Sequence, residues 1–215
     1  MSHPTSKSLN LSAFSEADVV VEASPTVYGG YAKLKRLTLR HGLFQGGMSA
    51  SVTRELFISG DAIMVIPYDV RQQSVLLIEQ FRVAPLHRGD HPWIFEGIAG
   101  RIEADEIAED VARREAQEEA GCPLGLVEKI GGFYQSPGIF AEHITYFCAP
   151  ADLSCAGGLF GLEAEDEDIR ALVVPLDEAL EAVDDNRVIS APTALSLLWI
   201  ARNRERLTEK WLDET

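Results

Sequence analysis

Three glutamates with helical spacing are the residues of this sequence best placed to do chemistry. Glu115, Glu118 and Glu119 occupy positions i, i+3 and i+4 of a helix-like segment, so their carboxylates project to one side. Like charges at these spacings repel each other by roughly 0.2–0.5 kcal/mol per pair. Such a triplet is commonly a solvated helix face. It is also what a hard cation such as Mg²⁺ requires, since that ion binds carboxylates together with waters and substrate phosphates.

The residues around these glutamates favour a bound cation. The stretch from Gly100 to Cys122 reads GRIEADEIAEDVARREAQEEAGC, in which eight residues are acidic and three are arginines. Helical spacing runs from about Ile107 to Ala120, with Asp105 as the predicted N-cap and Gly121 as the predicted end. The glycine loop that enters this helix offers free carbonyl oxygens. Carbonyls and carboxylates together supply oxygen ligands, and a bound metal offsets the repulsion between the carboxylates.

The elements that must position this helix are predicted to form an α+β fold with a mixed, mostly antiparallel sheet. Residues 1–15 are polar and serine-rich, which predicts a flexible tail, and residues 16–58 contain three strand-like segments separated by glycines. Three short strands bury little surface alone, so this region is expected to pack against the rest of the chain or a second subunit. Residues 59–215 contain hydrophobic strands, the acidic helix, two C-terminal helices and, at GGLFGLEAEDED, a predicted loop.

Composition and charge exclude several classes of function. The 215 residues carry a net charge of −15, which argues against nucleic acid as a partner, because phosphate-backbone binding depends on lysines and arginines. The longest apolar runs are far shorter than the roughly 20 residues of a membrane helix, and the N-terminus lacks the apolar segment of a secretory signal. Three cysteines without metal-binding spacing indicate buried thiols in a reducing compartment. A cytoplasmic protein that binds no membrane is therefore expected.

The order of residues in the acidic stretch resembles the Nudix box, the motif of hydrolases that cleave nucleoside diphosphates linked to another moiety. Gly100 is followed after five residues by Glu106, and after seven more by REAQEEAGC, which ends at Cys122. Each fixed position of the motif is filled except the last, where Cys122 replaces a bulky aliphatic residue. The resemblance implies a Nudix α/β/α sandwich with a mixed sheet. It also implies Mg²⁺ as cofactor, with Mn²⁺ as an alternative, and two or three ions in each active site.

The resemblance also assigns roles to the residues of the box. In that family the later glutamates hold the metal, so Glu115 and Glu119 are carried over as metal ligands. Glu118 is carried over as a further ligand, directly or through water, and as a catalytic residue. The backbone carbonyl of Ala99 would complete the ligand set, and Arg114 would orient the helix as part of the catalytic group.

A second acidic cluster, EAEDED, lies in the predicted loop and begins at residue 163. Taken alone, it is typical of solvated loop charge. Hydrolysis of a diphosphate nevertheless needs an activated water, and a carboxylate beside the metals can act as the base. In the enzymes that this sequence resembles, a mobile loop at this place closes over the substrate. The resemblance therefore implies Glu165 as the general base and Glu167 as an additional metal contact.

Similarity beyond the box covers most of the chain and resembles the bacterial ADP-ribose pyrophosphatases within the family. It is carried by the segments LRHGLFQGGMSASVTRELF, SVLLIEQFRV, FYQSPG and GLEAEDEDI, and by Pro137, fifteen residues past Cys122. The segment Ile139-Phe140-Ala141 departs from this pattern, because a more polar turn with glycine is expected there. The substrate contacts that the resemblance implies are Arg82, Arg54 reached from a partner subunit, Tyr31, Ser136 and Glu142.

Three functions are compatible with this resemblance. The first is Mg²⁺-dependent hydrolysis of ADP-ribose to AMP and ribose 5-phosphate, and the second is hydrolysis of another nucleoside diphosphate sugar such as GDP-mannose. The third is a non-catalytic Nudix-like ligand sensor, which the intact glutamates of the box disfavour. The resemblance further implies a homodimer in which the small antiparallel β domain at residues 16–58 mediates dimerisation.

Overall fold

A computed structural model describes residues 14–162 and 166–212. In it the chain divides into two compact units. The first unit extends to Ser59 and includes the segment Ser136–Ala141, and the second comprises Gly60–Gln135 and the chain from Glu142 onward.

The first unit is a four-stranded antiparallel sheet that follows a short 3₁₀ helix at Glu16–Asp18. Its strands are β1 (Val19–Ala23), β2 (Thr26–Gly29), β3 (Lys33–His41) and β4 (Val52–Ile58). All three other strands pair with β3, which is therefore the centre of the sheet. The sequence predicted three strands here and missed β2. In the described part of this unit, no residue of the four strands is buried, so the sheet has no core of its own.

The segment Ser136–Ala141 joins this unit at the edge strand β4. The backbone N–H of Phe57 donates to the carbonyl of Ile139 at 2.8 Å, and the N–H of Ala141 donates to the carbonyl of Phe57 at 2.9 Å. The rings of Phe57 and Phe140 meet edge to face, with centroids 5.1 Å apart. The apolar residues that depart from the family pattern therefore extend the small sheet.

The second unit contains a mixed eight-stranded sheet and four helices. The strands are β5 (Ala62–Asp69), β6 (Ser74–Phe81), β7 (Trp93–Glu96), β8 (Ile98–Arg101), β9 (Glu128–Tyr134), β10 (His143–Pro150), β11 (Gly158–Phe160) and β12 (Ile169–Pro175). The helices are α1 (Val83–Arg88), α2 (Ala108–Ala120), α3 (Leu176–Asp184) and α4 (Ala191–Trp211). The main strand order is β11-β12-β6-β5-β10-β9, in which the central pair β5–β10 is parallel and the other neighbours are antiparallel.

Strands β7 and β8 occupy a gap in the middle of this sheet. The hairpin strands β5 and β6 pair at Tyr68↔Val75 and Asp69↔Ser74, next to their turn. Farther from the turn, β7 pairs with β6 and β8 pairs with β5. Gly97 lies at the crossing between β7 and β8, where an added Cβ would lie only 3.0 Å from the Met64 side chain. This crossing brings the end of β7 and all of β8 to the same part of the sheet.

Helices cover both faces of the sheet and form two separate cores. On one face α2 packs its small apolar residues against strand residues such as Ile63, Ile78 and Ile98. On the other face α3 and α4 cover Ile66, Val75 and Leu77, with Trp211 buried at the end of α4. The predicted α/β/α sandwich with a mixed sheet is therefore confirmed. No helix within residues 14–162 and 166–212 is both long and apolar enough to cross a membrane.

Several local predictions differ from the structure. Helix α1 was not predicted, and β11 lies within a segment that was predicted as loop. Asp105 does not cap α2; it adopts a left-handed φ of 70°, and the helix begins after Ile107. The thiols of Cys122 and Cys148 are buried as predicted, whereas the thiol of Cys155 is exposed.

Candidate active site

Helix α2 holds the three glutamates between a buried apolar face and a glycine end. Gly121 ends the helix at a φ of 57°, and its N–H bonds to the carbonyls of Ala116 and Gln117. An added Cβ at Gly121 would lie 2.7 Å from the ring of Phe160, so glycine serves both the backbone conformation and the packing. The buried face consists of Val111, Ala112, Ala116 and Ala120. Packing of this face against the sheet directs the glutamates toward β8.

Glu119 is the most buried of the three carboxylates. The residue is 3% exposed, and the backbone N–H of Ala99 donates to its Oε2 at 3.2 Å. Burial raises the pKa of Glu119 well above its usual value, and the charges of Glu115 and Glu167 raise it further. A carboxylate in this environment is stabilised in its charged form by a nearby cation.

Glu115 lies against the backbone of Gly100 on β8. An added Cβ at Gly100 would lie 2.0 Å from Oε1 of Glu115, so only glycine leaves space for this carboxylate. Burial raises the pKa of Glu115 to about 7, although Arg114 acts in the opposite direction. Two carboxylates therefore share one low-dielectric site at the α2–β8 contact.

Arg114 is shared by several carboxylates at the edge of this site. Its Nη1 lies 2.9 Å from Oε1 of Glu115 and donates to Oε2 of Glu118 at 3.0 Å. Its Nη2 lies 3.7 Å from Glu106, which also accepts a hydrogen bond of 2.8 Å from the backbone N–H of Glu103. One guanidinium thus fixes the orientation of two box glutamates and of the loop that enters the helix.

Arg82 directly follows β6 and pairs with a carboxylate that the sequence did not indicate. Its Nε donates to Oε2 of Glu96 at 2.6 Å, and the Glu96 side chain is only 14% exposed. Both residues line a cleft of about 380 Å³ together with Ser190 and Pro192 at the start of α4. The charge of Arg82 also lowers the pKa of Glu119, which places the arginine within electrostatic range of the box.

The acidic loop contributes one described carboxylate to this region. Glu167 is half-buried, its N–H donates to the carbonyl of Leu162 at 3.2 Å, and its charge raises the pKa values of Glu115 and Glu119. Glu165, predicted as the base, lies outside the described residues.

The remaining predicted substrate residues are distributed over both units. Tyr31 is 83% exposed in the bend before β3, and exposed Arg54 on β4 donates from Nη1 to the carbonyl of Thr53 at 2.8 Å. Ser136 is exposed in the first unit, where its carbonyl accepts from the N–H groups of Ile139 and Phe140. Glu142 lies in the second unit, and its charge adds to the burial that raises the pKa of Tyr146 to about 12. The second unit therefore brings together the box residues, Ala99, Arg82 and Glu167, while Tyr31, Arg54 and Ser136 belong to the first.

The carboxylates of α2 fit a hard divalent cation by their chemistry. Across residues 14–162 and 166–212, no three acidic, histidine or cysteine side chains already converge as a metal site. The ion pairs with Arg114 account for the present orientation of Glu115 and Glu118. In the part of the chain that the structure describes, the Ala99 N–H is the donor to buried Glu119, and its other oxygen positions are available to a cation.

A family profile decides the identity of this site. The NUDIX domain matches residues 59–193, which is more than half of the chain and includes the whole acidic stretch. The chain belongs to the Nudix family. The predicted resemblance is confirmed, and this Nudix protein is an enzyme of the hydrolase class, whose members generally use divalent metal ions.

Similarity to curated Nudix enzymes extends over both units. The chain is 37% identical over 198 residues to the ADP-ribose pyrophosphatase of Escherichia coli K12, covering 92% of this chain and 95% of that protein. It is 38% identical over 201 residues to the ADP-ribose pyrophosphatase of Haemophilus influenzae, covering 92% and 93%. The GDP-mannose pyrophosphatase of Pectobacterium atrosepticum is 33% identical over 153 residues, which cover 71% of this chain and 78% of that enzyme.

The fold is also found in a solved structure. The crystal structure of an ADP compounds hydrolase superposes with a TM-score of 0.67 at 18% identity, over 95% of this chain and 98% of that one. At this level of identity the match supports the Nudix fold alone.

Proposed function

We propose that this Nudix hydrolase cleaves the diphosphate of ADP-ribose to AMP and ribose 5-phosphate with Mg²⁺ as cofactor. The supporting observation is identity of 37–38% with ADP-ribose pyrophosphatases over 92% of the chain, which includes the N-terminal sheet as well as the box. The matched GDP-mannose pyrophosphatase covers only 71% of the chain. Similarity that extends through the first unit therefore favours ADP-ribose.

The box residues would bind the cofactor and keep it at the diphosphate. Glu115 and Glu119 are the proposed ligands, with Ala99, Glu118 and Glu167 as further contacts and Mn²⁺ as a possible substitute. Two or three bound ions would polarise the phosphate and lower the pKa of water. Arg114 keeps Glu115 and Glu118 oriented through its ion pairs. Arg82 neutralises a phosphate oxygen, and burial of the site strengthens both interactions.

The proposed base is Glu165, with Glu167 as a metal contact. The base takes a proton from the attacking water while the water oxygen bonds to one phosphorus and the bridging P–O bond breaks. Glu165→Gln is expected to lower kcat strongly while KM changes little, because the proton acceptor is lost and the phosphate contacts remain. A large loss of kcat in Glu167→Gln with little loss in Glu165→Gln would reverse the assignment.

Binding of the nucleoside part is proposed to need two subunits. Tyr31 would stack on adenine, and Arg54 of a partner subunit would contact the phosphates, while Ser136 and Glu142 would lie near the ribose and diphosphate. A homodimer formed through residues 16–58 is consistent with a sheet whose strands bury no residue. The proposed domains are a tail at residues 1–15, this dimerisation region, and a Nudix domain at residues 59–215, in a cytoplasmic enzyme.

GDP-mannose remains the second candidate substrate. The observation that favours it is the 33% identity with a GDP-mannose pyrophosphatase. The apolar segment Ile139-Phe140-Ala141 also replaces the polar turn expected for ADP-ribose. The two substrates differ in base and sugar but share the diphosphate, so the proposed chemistry is the same for both.

A substrate panel tests the proposed function directly. Purified enzyme with MgCl₂ is given ADP-ribose, GDP-mannose, ADP-glucose, NADH and diadenosine polyphosphates, and products are identified by chromatography. We expect the highest kcat/KM with ADP-ribose and the products AMP and ribose 5-phosphate. A higher kcat/KM with GDP-mannose would replace the proposed substrate, and turnover of none of them would reject the proposed reaction.

A further inference from the structure

One buried side-chain amide beside the candidate site has no hydrogen-bond acceptor among the residues that the structure describes. Gln80 on β6 is 6% exposed, and its Nε2 is shielded from solvent without an acceptor among the described residues. A buried amide without a partner destabilises a protein, so such groups are rare. The other buried nitrogen in this condition, Nε of Arg204, belongs to a guanidinium that already donates to Asp177 at 2.6 Å. Gln80 is therefore the exception that needs a functional reason.

The surroundings of Gln80 would accommodate an apolar side chain. Gln80 lies opposite Ile94 on β7, and the register of β12 places Ile169 on its other side. Ile78, two residues earlier on the same face, is fully buried in the core under α2. A methionine or leucine would fill such a position without an unsatisfied polar group.

The register also places Gln80 near the ion pair of Arg82 and Glu96. Glu96 lies opposite Ile78, so it is the diagonal cross-strand neighbour of Gln80 on the same face. Diagonal neighbours lie about 7–8 Å apart, with their Cβ atoms somewhat closer, and two long side chains can span this distance. Arg82 follows Gln80 by two residues in extended backbone and now holds the Glu96 carboxylate.

Binding of a phosphate by Arg82 can leave the Glu96 carboxylate without its ion-pair partner. If the Arg82 guanidinium moves toward a substrate phosphate far enough for Nε to leave Oε2 of Glu96, the 2.6 Å bond is lost, and the Glu96 side chain is only 14% exposed. A buried carboxylate left without a partner is costly. Nε2 of Gln80 is a donor on the same sheet face, and within residues 14–162 and 166–212 it has no acceptor to give up.

We propose that Gln80 is a positioning residue that takes over Glu96 when Arg82 binds the substrate. In the free enzyme Arg82 neutralises Glu96, and Nε2 of Gln80 donates no hydrogen bond to the described residues. In the complex the guanidinium contacts phosphate, and Nε2 of Gln80 donates to the Glu96 carboxylate instead. This exchange rests on the proposed role of Arg82 in binding a nucleoside diphosphate. It lowers the free-energy cost of releasing the arginine, and so it strengthens phosphate binding without touching the phosphate.

The test is a double-mutant cycle on ligand affinity. Isothermal titration calorimetry with ADP and MgCl₂ gives the Kd for wild type, Gln80→Met, Glu96→Gln and the double variant. We expect Gln80→Met to weaken ADP binding about tenfold, the size of a lost hydrogen bond to a charged group. In the Glu96→Gln background the same change is expected to have no effect, because no buried carboxylate then needs a donor. An equal loss in both backgrounds, or no loss in either, would overturn the proposal.

A half-buried glutamine at the other end of β6 supplies the control. The amide of Gln73 in the β5–β6 turn is satisfied, since Nε2 donates to the carbonyl of Val70 at 2.7 Å and Oε1 accepts from Tyr68 at 2.8 Å. Gln73→Met should lower Tm and leave the Kd for ADP unchanged. Gln80→Met should keep or raise Tm while it weakens binding. A fall in Tm for Gln80→Met with unchanged affinity would show a purely structural role and contradict the exchange.

The cycle is separable from the test of the proposed function. If wild type binds ADP but hydrolyses no ADP-ribose, the proposed reaction fails while the affinities still decide the role of Gln80. If wild type does not bind ADP at all, no phosphate draws Arg82 away from Glu96, and the exchange is rejected.

Discussion

Two clusters of arginine and glutamate in the second unit have opposite charge balance. At α2, the single guanidinium of Arg114 is shared by Glu106, Glu115 and Glu118. At the opposite face of the sheet, Glu128 on β9 alone receives both Arg206 and Lys210 from α4, at 2.6 Å and 2.7 Å. Carboxylates outnumber cations in the first cluster, and cations outnumber the carboxylate in the second.

The pKa values follow this balance. Burial raises the pKa of Glu115 to about 7, because Arg114 does not compensate for it. Partial burial also acts to raise the pKa of Glu128, but the hydrogen bonds from Arg206 and Lys210 outweigh it and the pKa is lowered. The second cluster is complete within the chain and contributes to packing of α4. The first carries an excess of negative charge, which is the physical basis for proposing a metal there.

The largest expected effect comes from neutralising the most buried site carboxylate. Glu119→Gln keeps the shape of the side chain and removes the charge that a divalent cation requires. We expect kcat/KM for ADP-ribose to fall roughly 10²- to 10³-fold, since a bound metal contributes several kcal/mol of transition-state stabilisation. Steady-state kinetics over a range of MgCl₂ concentrations measure this loss. Near wild-type turnover at saturating Mg²⁺ would remove Glu119 from the ligand set.

The matched control for Glu119 is the same substitution in the other cluster. Glu128→Gln should leave kcat/KM unchanged, because its cations lie on α4. A similar loss of activity in both variants would mean that general destabilisation explains the effect, and the contrast between the clusters would fail.

A smaller effect is expected from the glycine under Glu115. Gly100→Ala places a methyl group 2.0 Å from the present position of Glu115 Oε1, so this carboxylate must move. Displaced ligands typically cost about 10- to 100-fold in metal affinity, which titration of Mn²⁺ by electron paramagnetic resonance can measure. Gly125→Ala is the control, since an added Cβ there meets nothing within 4 Å. Unchanged Mn²⁺ affinity in Gly100→Ala would show that the position of Glu115 is unimportant.

The smallest effect concerns stability and its pH dependence at Glu128. The folded-state pKa lies below the ordinary value of 4.5, so the stabilisation is present above that pH and is lost as the pH falls through the folded-state pKa. Glu128→Gln should lower stability by roughly 1 kcal/mol at pH 7, which corresponds to about 2–4 °C in Tm for a chain of this size. Thermal denaturation at pH 7 and at pH 3 measures the difference, which should shrink at pH 3. A difference that grows at low pH would contradict the sign of the shift.

Elements with local signals were predictable from the sequence, whereas those set by distant pairing were not. Helix α2 shows periodic small apolar residues and ends at Gly121, and both features are local. Helix α1 has only six residues and contains Pro85, so it carries no amphipathic period. Strand β11 has three residues and exists because it pairs with β12. The predicted cap at Asp105 is wrong because Asp105 adopts a left-handed turn conformation and the helix begins two residues later, after Ile107.

The site residues divide in the same way: some are recognisable from a sequence motif, and others only from the pairing of strands. The box glutamates were identified by their helical spacing and Arg114 by the resemblance to the Nudix box, and the structure shows how they are arranged. Glu96 and Gln80 were missed because each has an ordinary position in a strand, and their significance depends on the pairing of β6 with β7. An acidic residue in the hydrophobic strand WIFE was the one available signal for Glu96. A buried polar residue that contacts its partner across strands cannot be recognised before the register is known.

The parallel pair β5–β10 has a consequence for how the enzyme is made. Its partners Ala62 and Ile144 are separated by 82 positions, and helix α2 lies between them in the chain. During synthesis β5 emerges long before β10. Until β10 is made, the edge of β5 that pairs with β10 has no partner, and this strand contains the apolar residues Ile63–Ile66. Such distant pairing makes closure of the sheet slow and exposes the nascent chain to aggregation. After Ala62 the ribosome must therefore add 82 more residues before β10 can begin to pair with β5.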